Sequence, residues 1–316
     1  MDREKPNSGE SPPQDAVIST EQEEQSVQDR VAIGAHIVYE AIRREGEDEL
    51  KRSNSALAWS GLAAGLSMGI SFIVEGLLKA YLPQQHWAPL VSRFGYSVGF
   101  LMVVLGRQQL FTENTLTVVL PVMIRRTPQV VGQVLRLWSV VLVTNLLGTC
   151  LFAACVARIH LFDPDVVQAL TDIGVSHTGA PFSIAFVRAV FAGWLIAMMV
   201  WLLPGAESAR VYIIIILTYV IGLGQFNHII AGSTTLFYLV WRGALSWGVY
   251  FSTFFVPTLL GNIVGGVALV AALGHGQVVG GKDSEQRPSA GRQQKKERIR
   301  QGRVYAFNPK HPSGQV

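Results

Sequence analysis

Two polar interruptions occur inside apolar segments of this chain, at matching places in two halves of the sequence. The stretch Asn145-Leu-Leu-Gly148 recurs 117 residues later as Asn262-Ile-Val-Gly265. The same offset carries the interruption Leu110–Asn114 onto a second interruption, Asn227–Ala231. We therefore expect one membrane unit written twice, as an inverted repeat with a broken helix at the equivalent place in each copy. Paired breaks of this kind indicate a binding site near the bilayer midplane.

Charge is concentrated outside a central apolar block. Residues 57–273 carry 16 charged side chains, whereas the first 56 residues carry 20. The apolar runs approach the roughly 20 residues that a helix needs to cross hydrocarbon, so we predict an all-α membrane protein. The first run begins behind a long polar segment, and we expect no cleaved signal peptide. We interpret the basic C-terminal residues as membrane-flanking charges and expect no nucleic-acid partner.

The chain divides into four predicted segments. Residues 1–30 are rich in Glu, Gln, Ser and Pro and are expected to be a disordered tail. Residues 31–54 have apolar side chains at helical spacing, which predicts an amphipathic helix on the membrane surface or on the cytoplasmic face of the bundle. A frayed helix without contacts is the alternative. Residues 55–275 form the transmembrane domain, and residues 276–316 are expected to be a basic, disordered tail.

Six spans are predicted, with the second and fifth broken by irregular loops. The expected bounds are 57–80, 90–124 with a loop at 107–114, 130–157, 181–203, 210–241 with a loop at 225–232, and 247–273. The connection 158–180 is expected to be a loop. Positive side chains flank both tails, whereas Asp163, Asp165 and Asp172 occupy that connection. Because cytoplasmic flanks carry the excess of Lys and Arg, we place both termini in the cytoplasm.

The breaks themselves predict the kind of site. Irregular backbone at membrane depth survives only where protein or a water-filled cavity satisfies its polar groups. Half-helix N-termini that point into such a cavity favour anions. His228 is the one histidine within an apolar segment, and its neutral imidazole can donate to a passing anion. A satisfied structural histidine is the alternative. Thr112 offers a hydroxyl in the first break, and Leu110 and Phe111 beside it are candidate gate residues.

Several polar residues around the breaks are assigned supporting roles. Asn145 and Asn262 are expected to hold the broken loops by hydrogen bonds, with Asn114 supporting the first loop. Arg107 and Glu113 bracket that loop, and we expect them to pair with each other or with backbone groups. Charged residues inside spans need partners. Glu75 and Lys79, four residues apart on one helix, are therefore expected to form an ion pair.

Three motifs carry a resemblance to a known family: Leu-Phe-Thr-x-Asn (110–114), Asn-His-x-x-Ala (227–231) and Pro-x-x-x-Gly-Asn-Ile-x-Gly-Gly (257–266). With these motifs in this order, residues 55–275 resemble the formate/nitrite transporter family. Within it, the chain is most similar to a divergent subgroup of bacterial inner-membrane proteins of YfdC type. The resemblance implies an aquaporin-like bundle of six helices, assembled as a homopentamer in the inner membrane with one pore per protomer.

The resemblance also implies site residues and a cargo. Small monovalent anions or their neutral acids would pass two hydrophobic constrictions around a central histidine. That histidine corresponds to His228, the loop threonine to Thr112, and Leu110 and Phe111 lie at a constriction, with Asn227 in the same pore. The chain departs from the family at Glu113, where a small residue is common, at the run 107–109, at Pro181 in place of an anion-attracting lysine, and at Ala197 in place of an asparagine.

Three function classes follow from these observations. The leading hypothesis is a channel or proton-coupled carrier for small weak-acid anions such as formate or nitrite. A channel for water or small neutral solutes on the same fold is the alternative, because an unpaired Glu113 carboxylate would repel an anion. A non-conducting membrane scaffold is the third. We expect no enzyme, cofactor or metal, because the apolar block contains no nucleophile–His–carboxylate set, metal-ligand cluster or phosphate loop.

Overall fold

The structure, a computed structural model, describes residues 34–285, and for residues 270, 271 and 273–285 it describes the backbone only. The tail expected at 1–30, residues 31–33 and the tail from residue 286 onward lie outside the described residues. Within the described range every regular element is a helix, so the predicted all-α class is confirmed there. In chain order the helices are α1 (Ala35–Lys51), α2 (Asn54–Tyr81), α3 (Ala88–Leu105), α4 (Phe111–Thr117), α5 (Val119–Arg125), α6 (Pro128–Arg158), α7 (Pro164–Ser176), α8 (Phe182–Leu202), α9 (Arg210–Leu223), α10 (Ile229–Trp241) and α11 (Val256–Glu285).

Short irregular turns lie within α3, between α8 and α9, and before α11. A 3₁₀ turn at Arg93–Gly95 lies within α3, and two more, Leu203–Gly205 and Glu207–Ala209, connect α8 to α9. A short helix (Trp247–Val249) and a π-helical turn (Tyr250–Phe255) lead into α11. The helical segments that are long and apolar enough to cross a bilayer number five among the described residues: α2, α3, α6, α8 with its 3₁₀ turn, and 247–269. At 1.5 Å per residue, the 13 residues of α10 extend only about 20 Å.

Helix α1 buries one face against the bundle. Its buried residues are Val38, Ile42, Gly46 and Leu50, which recur every four positions and therefore share one side of the helix. This face contacts α4 and α5, and Arg125 at the end of α5 donates to Glu47 at 2.6 Å. The alternative of a frayed helix without contacts is therefore wrong.

Glycine stripes allow the closest helix contacts. A Cβ added at Gly65 of α2 would lie 2.2 Å from the carbonyl oxygen of Asn145 in α6, so the two backbones touch. A Cβ at Gly193 of α8 would lie 2.4 Å from the carbonyl oxygen of Asn262 in α11. Each half of the chain therefore presses a glycine of its first long helix against the asparagine-bearing helix, a contact that small residues permit.

Two boundary predictions were wrong. The connection 158–180 contains α7 rather than only a loop, and its residues Val166, Ala169, Leu170 and Ile173 are buried. Those positions have the i, i+3, i+4, i+7 spacing of an amphipathic helix, which outweighs the polar composition of the segment. Helix α11 continues to Glu285 and includes residues 276–285, which were expected to be disordered. No proline occurs between residues 258 and 287 to end its backbone hydrogen bonding.

Candidate functional site

Two five-residue breaks, 106–110 and 224–228, separate α3 from α4 and α9 from α10. Each begins with a glycine, and the next residue has a positive φ: 49° at Arg107 and 50° at Gln225. A positive φ is uncommon for a residue other than glycine, so both breaks make the same unusual turn. The turn leaves backbone groups of the break without helical partners, which side chains must satisfy.

The two breaks correspond with an offset of 118 residues, because Arg107 and Gln225 occupy equivalent turns. The offset of 117, which holds for Asn145 and Asn262, placed Leu110 opposite Asn227. That alignment of the breaks was wrong, since Leu110 and His228 both directly precede the second helix of their half. The two offsets differ because the second half has one residue fewer between its break and its asparagine than the first half has.

Asn145 of α6 holds the first break with three hydrogen bonds. Its Oδ1 accepts from the Phe111 N–H at 2.9 Å. Its Nδ2 donates to the carbonyl oxygens of Gly61 (2.7 Å) and Gln109 (2.8 Å). The side chain is fully buried, so it replaces partners that water cannot supply.

Asn262 of α11 makes the equivalent contacts in the second half. Its Oδ1 accepts from the Ile229 N–H at 2.8 Å, and its Nδ2 donates to the carbonyl oxygens of Ala189 (2.8 Å) and Asn227 (2.9 Å). Each asparagine thereby ties the C-terminal end of a break to the helix that packs against its own helix. The two breaks share one mode of support.

Two further asparagines bond within or near the breaks. Asn114 Nδ2 donates to Gln109 Oε1 (3.0 Å) and to the Leu110 carbonyl oxygen (3.2 Å), which closes the first break on itself. The Asn227 side chain donates to the Ala185 carbonyl oxygen of α8 at 3.3 Å. The Asn227 amide group is therefore engaged with the α8 backbone.

The breaks bring Thr112 and His228 together, although 116 residues separate them in the chain. Thr112 Oγ1 lies 2.8 Å from His228 Nε2, and both side chains are buried. The Ala231 N–H donates to His228 Nδ1 at 3.2 Å, so that nitrogen carries no proton in the neutral ring. The proton of the neutral imidazole therefore resides on Nε2, which donates to Thr112.

Buried aromatic and aliphatic side chains neighbour this pair in space or in the chain. The Phe100 ring meets the His228 ring edge-to-face with centroids 5.0 Å apart. Leu110 and Phe111 are both buried, and the Phe111 ring packs edge-to-face against Trp138 of α6 with centroids 5.9 Å apart. The Phe100 ring thus covers part of the His228 ring with an apolar surface, and Thr112 is the polar side-chain partner of His228 Nε2.

Two cavities lie at opposite ends of α2, a helix about 42 Å long for its 28 residues. The α1-side cavity has a volume of about 250 Å³, and the α7-side cavity about 580 Å³. Residues 107–109 of the first break line the former, and Gln225 of the second break lines the latter. Neither Thr112 nor His228 lines either cavity, so the pair is closed off from both.

Three arginines and three glutamates line the α1-side cavity: Glu45, Glu49, Arg52, Arg107, Glu113 and Arg210. Arg52 pairs with Glu49 at 3.1 Å, and Arg107 Nη1 lies 3.8 Å from Glu45. The expected pairing of Arg107 with Glu113 is therefore not formed. The turn at Arg107 directs its exposed side chain towards α1, whereas Glu113 belongs to the first turn of α4. The two side chains therefore do not pair.

Ion pairs also line the α7-side cavity, and they differ from the expected one. Glu75 pairs with Arg93 of α3, and Lys79 donates to Asp172 of α7 at 3.0 Å. The predicted Glu75–Lys79 pair is wrong, because each residue finds a partner on a neighbouring helix. Partial burial raises the pKa of Asp172, but the hydrogen bonds from Lys79 and Gln168 outweigh it, and the pKa lies below its ordinary value.

Sequence reasoning missed three residues of the site. Phe100 sits in an apolar run without a distinguishing motif, and only the structure places it against His228. Gln108 and Arg210 line the α1-side cavity. A signal existed for both, because Gln108 is in the first break and Arg210 starts a predicted span, but their proximity depends on the helix arrangement.

Comparison with known proteins identifies relatives over most of the chain. A family profile described as formate/nitrite transporter matches residues 36–276. Inner membrane protein YfdC of Escherichia coli (strain K12) is 40% identical over 282 residues, which are 89% of this chain and 90% of the relative. Formate channel BtFdhC of Bacillus thuringiensis is 23% identical over 242 residues, 74% of this chain and 91% of that protein.

Two solved structures share the fold. One is described as a pentameric formate channel with formate bound, with a TM-score of 0.58 and 20% identity over 72% of this chain and 96% of that chain. The other is described as an FNT family ion channel, with a TM-score of 0.65 and 17% identity over 74% of this chain and 96% of that chain. At these identities the likeness shows the fold alone.

Proposed function

The chain belongs to the formate/nitrite transporter family, and we propose that it carries small monovalent weak-acid anions, such as formate or nitrite, through a pore in each protomer. Its family consists of transporters and not of enzymes. The observation that carries the proposal is the buried Thr112–His228 hydrogen bond, which joins the first turn of α4 to the last residue of the second break. We infer that a solute moving between the two cavities passes this pair.

The geometry of this pair suits a transient ligand. His228 Nε2 donates to Thr112 Oγ1, which leaves the hydroxyl proton of Thr112 available. An arriving anion can take the place of Thr112 as acceptor and receive a second bond from the Thr112 hydroxyl. Both donors are neutral, so the site binds an anion without holding it as tightly as a fixed charge would.

Proton coupling follows from the apolar surroundings of the pair. A bare anion is costly to bury without paired charge, whereas a neutral acid is far less so. We therefore infer that the solute passes the buried segment around Leu110, Phe111 and Phe100 as a neutral or transiently protonated species. His228 is the donor and Thr112 the second ligand, and Asn227, through its carbonyl bond to Asn262, keeps the second break in place.

The proposed topology counts each interrupted segment as one crossing. Helix α3 with α4 and α5, and α9 with α10, then join the four long helices to make six spans in an aquaporin-like inverted repeat. An even number places both termini on one side, and the positive flanks assign that side to the cytoplasm. The similarity to YfdC supports the bacterial inner membrane, and the pentameric formate channel supports a homopentamer.

The test is uptake of formate by proteoliposomes that contain the full chain. We expect uptake to rise as the pH falls, because the neutral acid becomes more abundant. Thr112→Val removes the hydroxyl at nearly constant volume and strands a buried donor. A donor left without a partner costs about 1–3 kcal/mol, and formate uptake should fall roughly 5- to 150-fold if the whole cost adds to the transport barrier. Thr112→Ser keeps the hydroxyl and serves as the matched control. Equal uptake by wild type and His228→Ala would eliminate the histidine role.

A channel for water or small neutral solutes is the second candidate. The observation that favours it is the Glu113 carboxylate, which has an unpartnered oxygen within the described part of the chain and borders the α1-side cavity. Osmotic swelling of proteoliposomes that is independent of the anion present would support this candidate. Formate uptake that saturates and depends on His228 would refute it.

A further inference from the structure

The α1-side cavity contains an unusual set of unpartnered polar atoms. Among the described residues, Gln108 Oε1, Glu113 Oε1 and Arg210 Nε are buried atoms without a hydrogen-bond partner, and all three residues line this one cavity. Buried polar atoms are normally paired, so a concentration of three in one place calls for an explanation. The three atoms comprise two acceptors and one donor.

The charges that face Glu113 come from every element around the cavity. Helix α1 contributes Glu45 and Glu49, and each of these has an arginine beside it, Arg107 and Arg52. Arg210 at the start of α9 is the remaining cation that lines the cavity. Glu113 takes no part in the ion pairs among these residues, and its Oε1 has no hydrogen-bond partner in the described part of the chain.

The donor and acceptor set discriminates between the forms of a weak acid. A bare carboxylate can accept from Arg210 but cannot donate to Gln108 or Glu113. The neutral acid donates its O–H to Glu113 or Gln108 and accepts from Arg210 with its carbonyl oxygen. It therefore satisfies both kinds of unpartnered atom at once, which the anion cannot do.

We propose that Glu113 is a specificity-determining residue of the permeation path. Together with Gln108 and Arg210, it makes the α1-side cavity a subsite that accepts the neutral form of a small monocarboxylic acid and rejects the bare anion. The proposal rests on the proposed transport of weak acids and adds the form in which they pass this end of the pore.

The first test compares formate with formamide, a neutral solute of similar size without a titratable proton, in proteoliposomes of the full chain. With Glu113 intact we expect formate flux to fall about tenfold per pH unit above neutrality, in step with the neutral acid. Glu113→Gln keeps the volume and removes the charge. It should raise formate flux at pH 7.5 about tenfold, flatten its pH dependence and change formamide flux less than twofold. Asp48→Asn, on the exposed side of α1, is the matched control.

An unchanged ratio of formate to formamide flux in Glu113→Gln, with the wild-type pH dependence retained, would overturn the proposal. Glu45→Gln provides a further comparison, because this carboxylate has Arg107 beside it. We expect its effect to be smaller than that of Glu113→Gln. An equal effect from the two variants would show that any cavity charge acts and that Glu113 has no special role.

The second test does not depend on transport. In a Cys150→Ala, Cys155→Ala background, Val104→Cys places a thiol at the cavity wall. Its labelling rates are measured with neutral methyl methanethiosulfonate and with anionic 2-sulfonatoethyl methanethiosulfonate. We expect Glu113→Gln to raise the anionic-to-neutral rate ratio about tenfold, and a ratio that does not change would refute the proposal. Absence of formate flux would defeat the proposed function, whereas this ratio still decides the role of Glu113.

Discussion

Replacement of Asn145 by leucine tests whether the first break depends on its side-chain support. The change keeps the volume of the side chain and removes the amide. Three contacts are lost: from the Phe111 N–H and to the carbonyl oxygens of Gln109 and Gly61. The Gln109 carbonyl belongs to the break and the Phe111 N–H to the first residue of α4, so neither group has a helical partner to fall back on.

The structure sets the expected magnitude. A buried backbone group that loses its partner costs about 1–3 kcal/mol, so two stranded groups cost about 2–6 kcal/mol. Side-chain hydrogen bonds in membrane proteins average about 0.6 kcal/mol each, which gives about 2 kcal/mol for three bonds. Both estimates agree at the lower end. We therefore expect Asn145→Leu to lower the free energy of unfolding by at least about 2 kcal/mol.

The measurement is denaturant unfolding of the detergent-solubilised chain, together with formate uptake in proteoliposomes. Asn262→Leu should show a loss of the same size, because its three contacts match those of Asn145. Thr144→Ala is the control, since among the described residues the Thr144 hydroxyl bonds only to carbonyl oxygens of its own helix. A stability of Asn145→Leu within 0.5 kcal/mol of Thr144→Ala, with normal uptake, would refute the support role of the asparagine.

Two further predictions concern helix contacts. Gly65→Ala should destabilise the chain by about 1–3 kcal/mol or more, because the added methyl meets the Asn145 backbone. Gly132→Ala places its methyl in open space and should be neutral in the same unfolding measurement. The lowered pKa of Asp172 means that its ion pair with Lys79 stabilises the fold above the ordinary carboxyl pKa and is lost as the pH falls through the lower, folded-state pKa. Both side chains are partly exposed, so Lys79→Met should cost at most about 1 kcal/mol at pH 7 and less below pH 3.8, as unfolding at both pH values would show.

Local patterns in the chain predicted the helices and the places where they break. The buried face of α1 has regular helical spacing, and polar residues in apolar runs marked both interruptions. The spacing of apolar residues in α7 also indicated a helix, but the polar composition of the segment was given more weight and a loop was predicted. These features depend on side-chain period and on turn chemistry, which neighbouring residues determine among themselves.

Partners across the fold needed the tertiary structure. The sequence by itself predicted that His228, Thr112 and the paired asparagines would surround a break, and that the unit is repeated. It could not predict the one-residue difference that aligns Leu110 with His228, nor that Arg107 would extend to α1 and leave Glu113 in a cavity with Gln108 and Arg210. Pairing of charges follows from the distance between helices, and that distance is determined by backbone contacts such as those at the glycines, which no local period encodes.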